Sequence, residues 1–291
     1  MSILDQNNEP YDDEGLARHI EQALAVNAPS GPAQEWMYSL LKRIFNPLLV
    51  DAENIPDEPC LFVGNHSLFA LDGMILAPLM YFELDRFLRP LGDKFLWNDT
   101  TESLLINQGA VLGHPKVCAA LMENGSDLVV FPGGAHEATK TAADKYTLQW
   151  KERVGFVRLA AQHGYTIMPF ALIGPDEFYS HLIEGEDIPD TAVGRLLTRF
   201  GLLNEQTRPD MLPPVPRGLL GSFLPRPQRC YLQFGEPLRL AELAGKRVTK
   251  KKLLSVRQEV ADQIEEMIAE LLLLREQNRG EDGFLRRLLT L

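Results

Sequence analysis

Short apolar runs alternate with segments of helical periodicity along most of the chain. Between the runs, residues 115–124 and 150–163 show helical spacing, and Pro and Gly mark the start and end of the first of these helices. The runs that have the length and composition of strands are residues 60–64, 87–91, 110–112, 128–131, 167–173 and 230–234. Strands that alternate with helices predict an α/β fold with a mostly parallel central sheet flanked by helices.

Two amphipathic segments frame this region. Residues 33–49 place apolar side chains at helical spacing with Lys42 and Arg43 on another face, which predicts an N-terminal amphipathic helix that ends near Pro47. Residues 249–277 repeat apolar side chains every three or four positions. This pattern predicts a long C-terminal helix that closes the domain.

The remaining segments lack such regular patterns. Residues 1–32 are polar and acidic, which predicts a flexible extension before a single domain of residues 33–280. Within that core, residues 184–228 are rich in Pro and Gly and hold one helical segment near residues 192–203, so we interpret them as an insertion or lid. Residues 281–291 combine apolar and basic side chains and predict a basic amphipathic tail.

Composition narrows the class of protein. The apolar share of 45% and the charged share of 24% are those of a globular protein, and the net charge of −11 disfavours nucleic-acid binding. The richest apolar run, residues 74–82, is far shorter than the roughly 20 residues of a membrane-spanning helix. The beginning of the chain lacks the pattern of a signal peptide, and three cysteines without disulfide or zinc spacing predict reduced thiols in a cytoplasmic protein.

The strongest candidate site follows the first predicted strand, where residues 64–72 read G-N-H-S-L-F-A-L-D. Sites in α/β sheets form where strands end. His66 and Asp72 differ by about 600° of helical rotation, so they can pair only if His66 lies on the loop and the chain folds back. Asp72 would then fix the imidazole tautomer and leave the other nitrogen as a base. Spacing alone favours a plainer alternative, in which Asn65 caps the helix, His66 fills a polar corner and Asp72 faces water.

A second candidate segment, residues 131–138, reads F-P-G-G-A-H-E-A and also leaves an apolar strand. Its paired glycines, Gly133 and Gly134, let the backbone approach a ligand and can direct N–H groups toward developing negative charge. An ordinary Pro-Gly-Gly turn explains the same letters equally well.

Together the two segments resemble the glycerolipid acyltransferase superfamily, which has an Asn-His motif with a downstream Asp and then a strand-turn motif with Pro and Gly. The interval from His66 to Asp72 and the sequence F-P-G-G-A-H-E-A are similar to its monoacylglycerol and diacylglycerol acyltransferase-like branch, which includes the plant phytyl ester synthases. The likeness returns in residues 150–161, 167–169 and 234–238 and spans about residues 58 to 275. Several ordered motifs are more specific than any one of them.

The resemblance implies roles for these residues. His66 would be the general base that activates the acceptor hydroxyl, with Asp72 as its orienting partner and Asn65 as a support of the loop. Gly133 and Gly134 would line the acyl or oxyanion position. The resemblance implies an acyl thioester donor, either acyl-CoA or acyl carrier protein, as co-substrate, with neither a cofactor nor a metal ion.

Departures from the family pattern bear on the acceptor. Phosphate-accepting branches have Glu-Gly in the second motif and an Arg between the two motifs, whereas Gly133 replaces that Glu here and residues 104–116 offer no matching Arg. A neutral lipid or a long-chain alcohol is therefore the expected acceptor. Glu137 matches the acid of the second motif, where it would contact the acceptor or brace the turn. His136 stands where relatives commonly have Arg, and we expect it to be a turn residue.

Other functions remain as alternatives. One is a lysophospholipid or glycerol-phosphate acyltransferase, and another is a non-catalytic lipid-binding relative. A serine hydrolase is disfavoured, because Ser67 does not lie in a Gly-x-Ser-x-Gly sequence. The N-terminal helix of residues 33–49 and the basic tail of residues 281–291 are typical of peripheral contact with the inner membrane face, although both could simply pack on the domain.

Overall fold

The computed structural model describes residues 10–98, 100–200, 203 and 212–290. The strands found there, numbered β1 to β9 in chain order, are Leu48–Val50, Cys60–Gly64, Leu88–Gly92, Val111–Leu112, Asp127–Val130, Thr166–Ile173, Ser180–Ile183, Val215–Arg217 and Tyr231–Phe234. The helices, numbered α1 to α10, are Asp13–Ala25, Pro32–Phe45, Asp72–Leu84, Glu102–Asn107, Pro115–Glu123, Ala135–Ala138, Gly155–His163, Ala192–Arg199, Lys250–Asn278 and Phe284–Leu289.

Seven of the described strands form one sheet in the order β1-β9-β6-β2-β5-β3-β4. Neighbouring strands are parallel except for β6 and β9, which are antiparallel. The predicted mostly parallel sheet flanked by helices is therefore confirmed, together with the amphipathic helix α2 and the long helix α9 of 29 residues. Strands β7 and β8 pair antiparallel in a second, small sheet.

Helices cover both faces of the central sheet. Every residue of β2 and β6 is buried, which explains why these strands read as continuous apolar runs. Alternate side chains of β2 enter opposite cores: Phe62 packs in the cluster that includes α2 and α3, whereas Leu61 and Val63 pack in the cluster that includes α5, α7 and α9. The two cores fix the central strands, and the ends of those strands carry both candidate motifs.

The N-terminal segment differs from its prediction as a flexible extension. Helix α1 packs on the domain, and its fully buried His19 accepts a hydrogen bond through Nε2 from the backbone N–H of Leu112 at 3.0 Å. Arg89 donates from Nη2 to the carbonyl oxygen of Ala23 at 2.8 Å. The acidic residues of α1 lie on its exposed side. The segment therefore has the composition of a flexible extension although it forms an amphipathic helix. Residues 1–9 of the predicted extension lie outside the described residues.

Tertiary pairing also moves several predicted boundaries. The helix predicted over residues 33–49 ends at Phe45, because Asn46 adopts a left-handed conformation with φ of 41° and the chain then enters β1. Strand β1 forms where Leu48 donates its N–H to the carbonyl oxygen of Cys230 at 3.0 Å. The helix predicted over residues 150–163 begins only at Gly155.

The predicted insertion and tail contain regular elements of their own. Strand β8 and helix α8 lie within the insertion, and β8 pairs with β7 rather than with the central sheet. Helix α10 forms within the tail, where Arg286 lies 3.7 Å from Asp282. Residues 201–202 and 204–211 of the insertion and Leu291 of the tail are outside the described part of the chain. Among the described helices, none is long and apolar enough to cross a bilayer.

Candidate active site

The loop after β2 is fixed to the neighbouring strand. Asn65 follows β2 directly, and its side-chain amide donates to the carbonyl oxygen of Leu172 and accepts from the N–H of the same residue, both at 2.9 Å. Gly64 is required just before it, since a Cβ at this position would lie 2.4 Å from the ring of Phe170. Asn65 therefore ties the loop to β6 and does not cap the following helix.

His66 and Asp72 meet on this loop. Nδ1 of His66 lies 2.6 Å from Oδ2 of Asp72, whose side chain is almost fully buried. A carboxylate can only accept, so Nδ1 carries the proton and Nε2 is the basic nitrogen. The N–H groups of Ser67 and Gly73 donate to Asp72 at 2.6 and 2.7 Å and fix the carboxylate. The ring of Phe131 stacks on His66 at a centroid distance of 4.2 Å, which holds the plane of the imidazole.

An unusual backbone turn brings the two side chains together. Phe69 and Ala70 both have positive φ, 56° and 58°, a conformation that costs non-glycine residues about 1 kcal/mol or more each. The turn reverses the chain between His66 and the start of α3, where Asp72 is the first residue. The chain thus folds back as pairing requires, and the plainer alternative with Asp72 facing water does not describe this loop.

Glu137 of the second motif supports the loop that carries His66. Its buried carboxylate accepts from the backbone N–H of His66 at 2.8 Å and from that of Gln149 at 2.7 Å. Burial raises the pKa of Glu137, while these two N–H donors and the charge of Lys140 act in the opposite direction. Gly133 leaves room for this side chain, since a Cβ there would lie 2.1 Å from Glu137 Cδ.

The turn that contains Gly133 and Gly134 is held by Arg153. Arg153 donates from Nη1 to the carbonyl oxygens of Pro132 and Gly133, both at 2.8 Å. Gly134 has φ of 53° and ψ of −137°, a backbone conformation that favours glycine. Its own N–H donates to the carbonyl oxygen of Phe131 at 2.9 Å. In the sequence, Arg153 is indicated only by its place in the stretch where the family likeness continues, which assigns it no role in the site.

A buried ion pair supports the same loop and was also missed. Lys140 Nζ lies 2.7 Å from Asp176 Oδ2, and both side chains are at most 2% exposed. Lys140 also donates to the carbonyl oxygen of His66 at 2.8 Å, and Asp176 accepts from the N–H of Leu68 at 3.2 Å. No local sequence pattern relates Lys140 to Asp176, which lies 36 positions further along the chain.

In the part of the chain that the structure describes, no group of three or more His, Cys, Asp or Glu side chains is placed to hold a metal ion.

Comparisons with known proteins agree with the motifs. A family model described as "Diacylglycerol acyltransferase" matches residues 90–202. The chain is 29% identical over 241 residues to "Phytyl ester synthase 1, chloroplastic" of Arabidopsis thaliana, an alignment that covers 77% of this chain and 34% of that relative. It is 31% identical over 229 residues to an uncharacterized protein of Mycobacterium tuberculosis strain H37Rv, which covers 76% of this chain and 59% of that protein.

A solved structure also matches in outline. The crystal structure of the 1-acyl-sn-glycerophosphate acyltransferase from Thermotoga maritima aligns with a TM-score of 0.46 and 15% identity over 80% of this chain and 79% of that chain. The chain spans about a third of the length of the plant relative, 34%. By the family match and the relatives, the chain is similar to the diacylglycerol acyltransferase-like branch of the glycerolipid acyltransferases, which confirms the predicted resemblance.

Proposed function

We propose that this chain transfers a fatty acyl group from a thioester to the hydroxyl of a neutral lipid or a long-chain alcohol. The contact of 2.6 Å between His66 Nδ1 and Asp72 Oδ2 carries the proposal. It sits at the end of a central strand, where α/β sheets form their sites, and it leaves Nε2 as a base of the kind that activates hydroxyl groups. The family match supplies the class of reaction.

In the proposed reaction, Nε2 of His66 removes the hydroxyl proton while the acceptor oxygen attacks the thioester carbonyl. The tetrahedral intermediate then collapses, the C–S bond breaks, and the imidazolium returns the proton to the leaving thiolate. The products are an ester and a free thiol. Asp72 accepts from Nδ1 throughout, so it orients the ring and stabilises the imidazolium.

The other predicted site residues receive supporting roles in this proposal. Asn65 and Glu137 position the backbone on either side of His66, and Gly133 makes room for Glu137. Gly134 is the residue proposed to line the acyl position. Because its N–H already donates to Phe131, it would contribute by lacking a side chain and not as an oxyanion donor.

One observation favours a second candidate, an acyltransferase with a phosphate-bearing acceptor such as a lysophospholipid or glycerol phosphate. The guanidinium of Arg153 stands beside the second motif, 3.2 Å from the position of a Cβ on Gly134. Guanidinium groups bind phosphate well. Nη1 of Arg153 is already occupied by two carbonyl oxygens, however, so the neutral acceptor remains our proposal.

A panel of acceptors tests the proposed reaction. The chain would be incubated with acyl-CoA or acyl carrier protein and with diacylglycerol, monoacylglycerol, a long-chain alcohol, lysophosphatidate or glycerol 3-phosphate. We expect thiol release and ester formation with the neutral acceptors and not with the two phosphates, with products identified by mass spectrometry. Ester formation only with the phosphates would establish the second candidate. Free fatty acid formed without an acceptor would identify a hydrolase, and no release at all a lipid-binding protein.

The proposed acceptors lie in membranes, and the two amphipathic helices offer a surface for membrane contact. On α2 the side chains of Trp36 and Met37 are 66% and 62% exposed, and on α10 Phe284 is 74% exposed. The helices approach each other where Arg286 donates to the carbonyl oxygen of Arg43 at 3.4 Å. Apolar side chains next to bases are typical of helices in a lipid interface. We extend the proposal to peripheral contact with the inner membrane face, in a cytoplasmic protein with reduced thiols.

Flotation with liposomes that contain anionic lipid tests the membrane contact. Replacing Trp36 and Met37 by Ser is expected to weaken binding roughly tenfold or more, because two apolar side chains no longer enter the interface. Cutting the chain before Glu281 should weaken it further. A Leu104→Ser variant is the control, since Leu104 is 65% exposed on a different helix, α4. Negligible binding by the intact chain, or equal binding by all variants, would refute the contact.

A further inference from the structure

A basic cleft of about 760 Å³ opens on the surface near the candidate active site. This volume is in the range of sites for small molecules, about 300–1,000 Å³. Five bases line it: Lys145, Arg226, Arg275, Arg279 and Arg287. In a chain with a net charge of −11, such a concentration of positive charge is a local exception.

The three acids that also line the cleft are already engaged. Glu177 accepts from Arg275 Nη1 at 2.9 Å and from the hydroxyl of Tyr146, and Glu276 pairs with Arg279 at 3.3 Å. The third acid, Asp282, lies 3.7 Å from Arg286.

Three bases of the cleft remain available to a ligand. Among the described residues, Lys145, Arg226 and Arg287 have no carboxylate partner. The guanidinium of Arg226 donates from Nη2 to the hydroxyl of Ser180 at 3.0 Å. The cleft therefore carries uncompensated positive charge in addition to its ion pairs.

The cleft lies at the same end of the sheet as His66. Glu177 follows the carboxyl end of β6, and β6 runs parallel beside β2, the strand that His66 follows. Asp176, the neighbour of Glu177, accepts from the N–H of Leu68 on the His66 loop at 3.2 Å. The side chain of Asp176 thus connects the segment that carries Glu177 to the candidate catalytic loop.

A rigid cluster holds that wall in place. Tyr146, next to Lys145, donates its backbone N–H to Asp176 Oδ2 at 3.1 Å and its hydroxyl to Glu177. Gly174 donates its N–H to the Tyr146 hydroxyl oxygen at 3.1 Å. The backbone next to Lys145 is thus held by hydrogen bonds before a ligand arrives, and preorganisation of this kind lowers the entropy lost on binding.

The opposite wall combines charge with apolar surface. Helix α10 contributes Arg287 together with Phe284 and Leu288, which are 74% and 54% exposed. A ligand that suits both walls has phosphate groups for the bases and an apolar or aromatic part for Phe284 and Leu288.

We propose that this cleft is a binding site for a phosphate-bearing ligand, adjacent to but distinct from the site of His66. Such phosphates occur in two sources, the carrier part of an acyl thioester and the headgroup of an anionic lipid. The carrier assignment rests on the proposed function, since only an acyl transfer needs a thioester donor near His66. The binding site itself stands on the cleft, its uncompensated bases and its rigid wall.

Calorimetric titration of the full chain tests the proposal. The probes are free CoA and, separately, phosphatidylcholine vesicles with and without phosphatidylglycerol. A double variant, Lys145→Gln with Arg287→Gln, is expected to raise the Kd of the bound probe roughly tenfold or more, because each charged contact with phosphate contributes strongly. Binding by the unaltered chain should weaken as salt concentration rises.

The matched control is Arg18→Gln with Lys116→Gln. These two bases are exposed on α1 and α5, beside β4, which lies four strands from β6. Binding of CoA that weakens only in the cleft variant supports the proposal with the thioester carrier as the source, and the same result for anionic vesicles alone supports it with the lipid headgroup as the source. No binding of either probe, or equal binding by the cleft and control variants, overturns it. Free CoA needs no turnover to bind, so a chain that binds it but transfers no acyl group would refute only the proposed function.

Discussion

Replacing His66 by Ala is expected to lower kcat for acyl transfer by roughly 10²- to 10⁴-fold, the usual contribution of a positioned general base. The melting temperature should change little, because the buried carboxylate of Asp72 keeps its bonds from two backbone N–H groups when the imidazole is removed. Thiol release and ester formation measure the activity, and thermal unfolding measures the stability. An unfolded variant, or one with full activity, would contradict the assignment.

The pairing with Asp72 can be tested in the same assay. Asp72→Asn should reduce kcat by misorienting the ring, and the double variant should be hardly worse than His66→Ala alone, since residues that act as a unit are not additive. The matched control is His163→Ala at the end of α7, which should keep normal activity. Fully additive losses would show that the two residues act separately.

Replacing Lys140 by Met is expected to lower the free energy of unfolding by about 3–5 kcal/mol, because it leaves the carboxylate of Asp176 buried without its cation. Both side chains are at most 2% exposed. The same change removes the donor to the carbonyl oxygen of His66, so activity should fall as well. Urea unfolding followed by circular dichroism measures the stability.

Two variants sharpen this test. Lys42→Met breaks a pair with Glu83 in which the lysine side chain is 49% exposed, and it should cost only about 0–1 kcal/mol. Lys140→Met with Asp176→Leu removes both buried charges and should recover part of the stability. Recovery stays partial because the N–H groups of Leu68 and Tyr146 lose their acceptor. Equal small losses in the Lys140 and Lys42 variants would mean that burial does not control this pair.

Local patterns in the sequence determined the layers of the fold. Continuous apolar runs marked β2 and β6 because both faces of these strands are covered, and α9 showed its buried stripe in its spacing. Helix α3, which follows the first motif as expected, shows no clear period because it is apolar nearly all round and contains Pro78, and α1 was not predicted because its acidic face dominates its composition. Hydrophobic periodicity appears in the sequence only when one side of a helix faces water and the other side is buried.

For the candidate site, the sequence by itself indicated which residues to expect there and that they stand where strands end. It gave the position of His66 and Asp72 but not the turn at Phe69 and Ala70 that joins them, because left-handed conformations of non-glycine residues are imposed by surrounding contacts. Only the tertiary structure decided that Glu137 and Lys140 hold the backbone of the loop. These contacts join residues more than 70 positions apart, and such pairs are specified by packing and burial and not by local spacing.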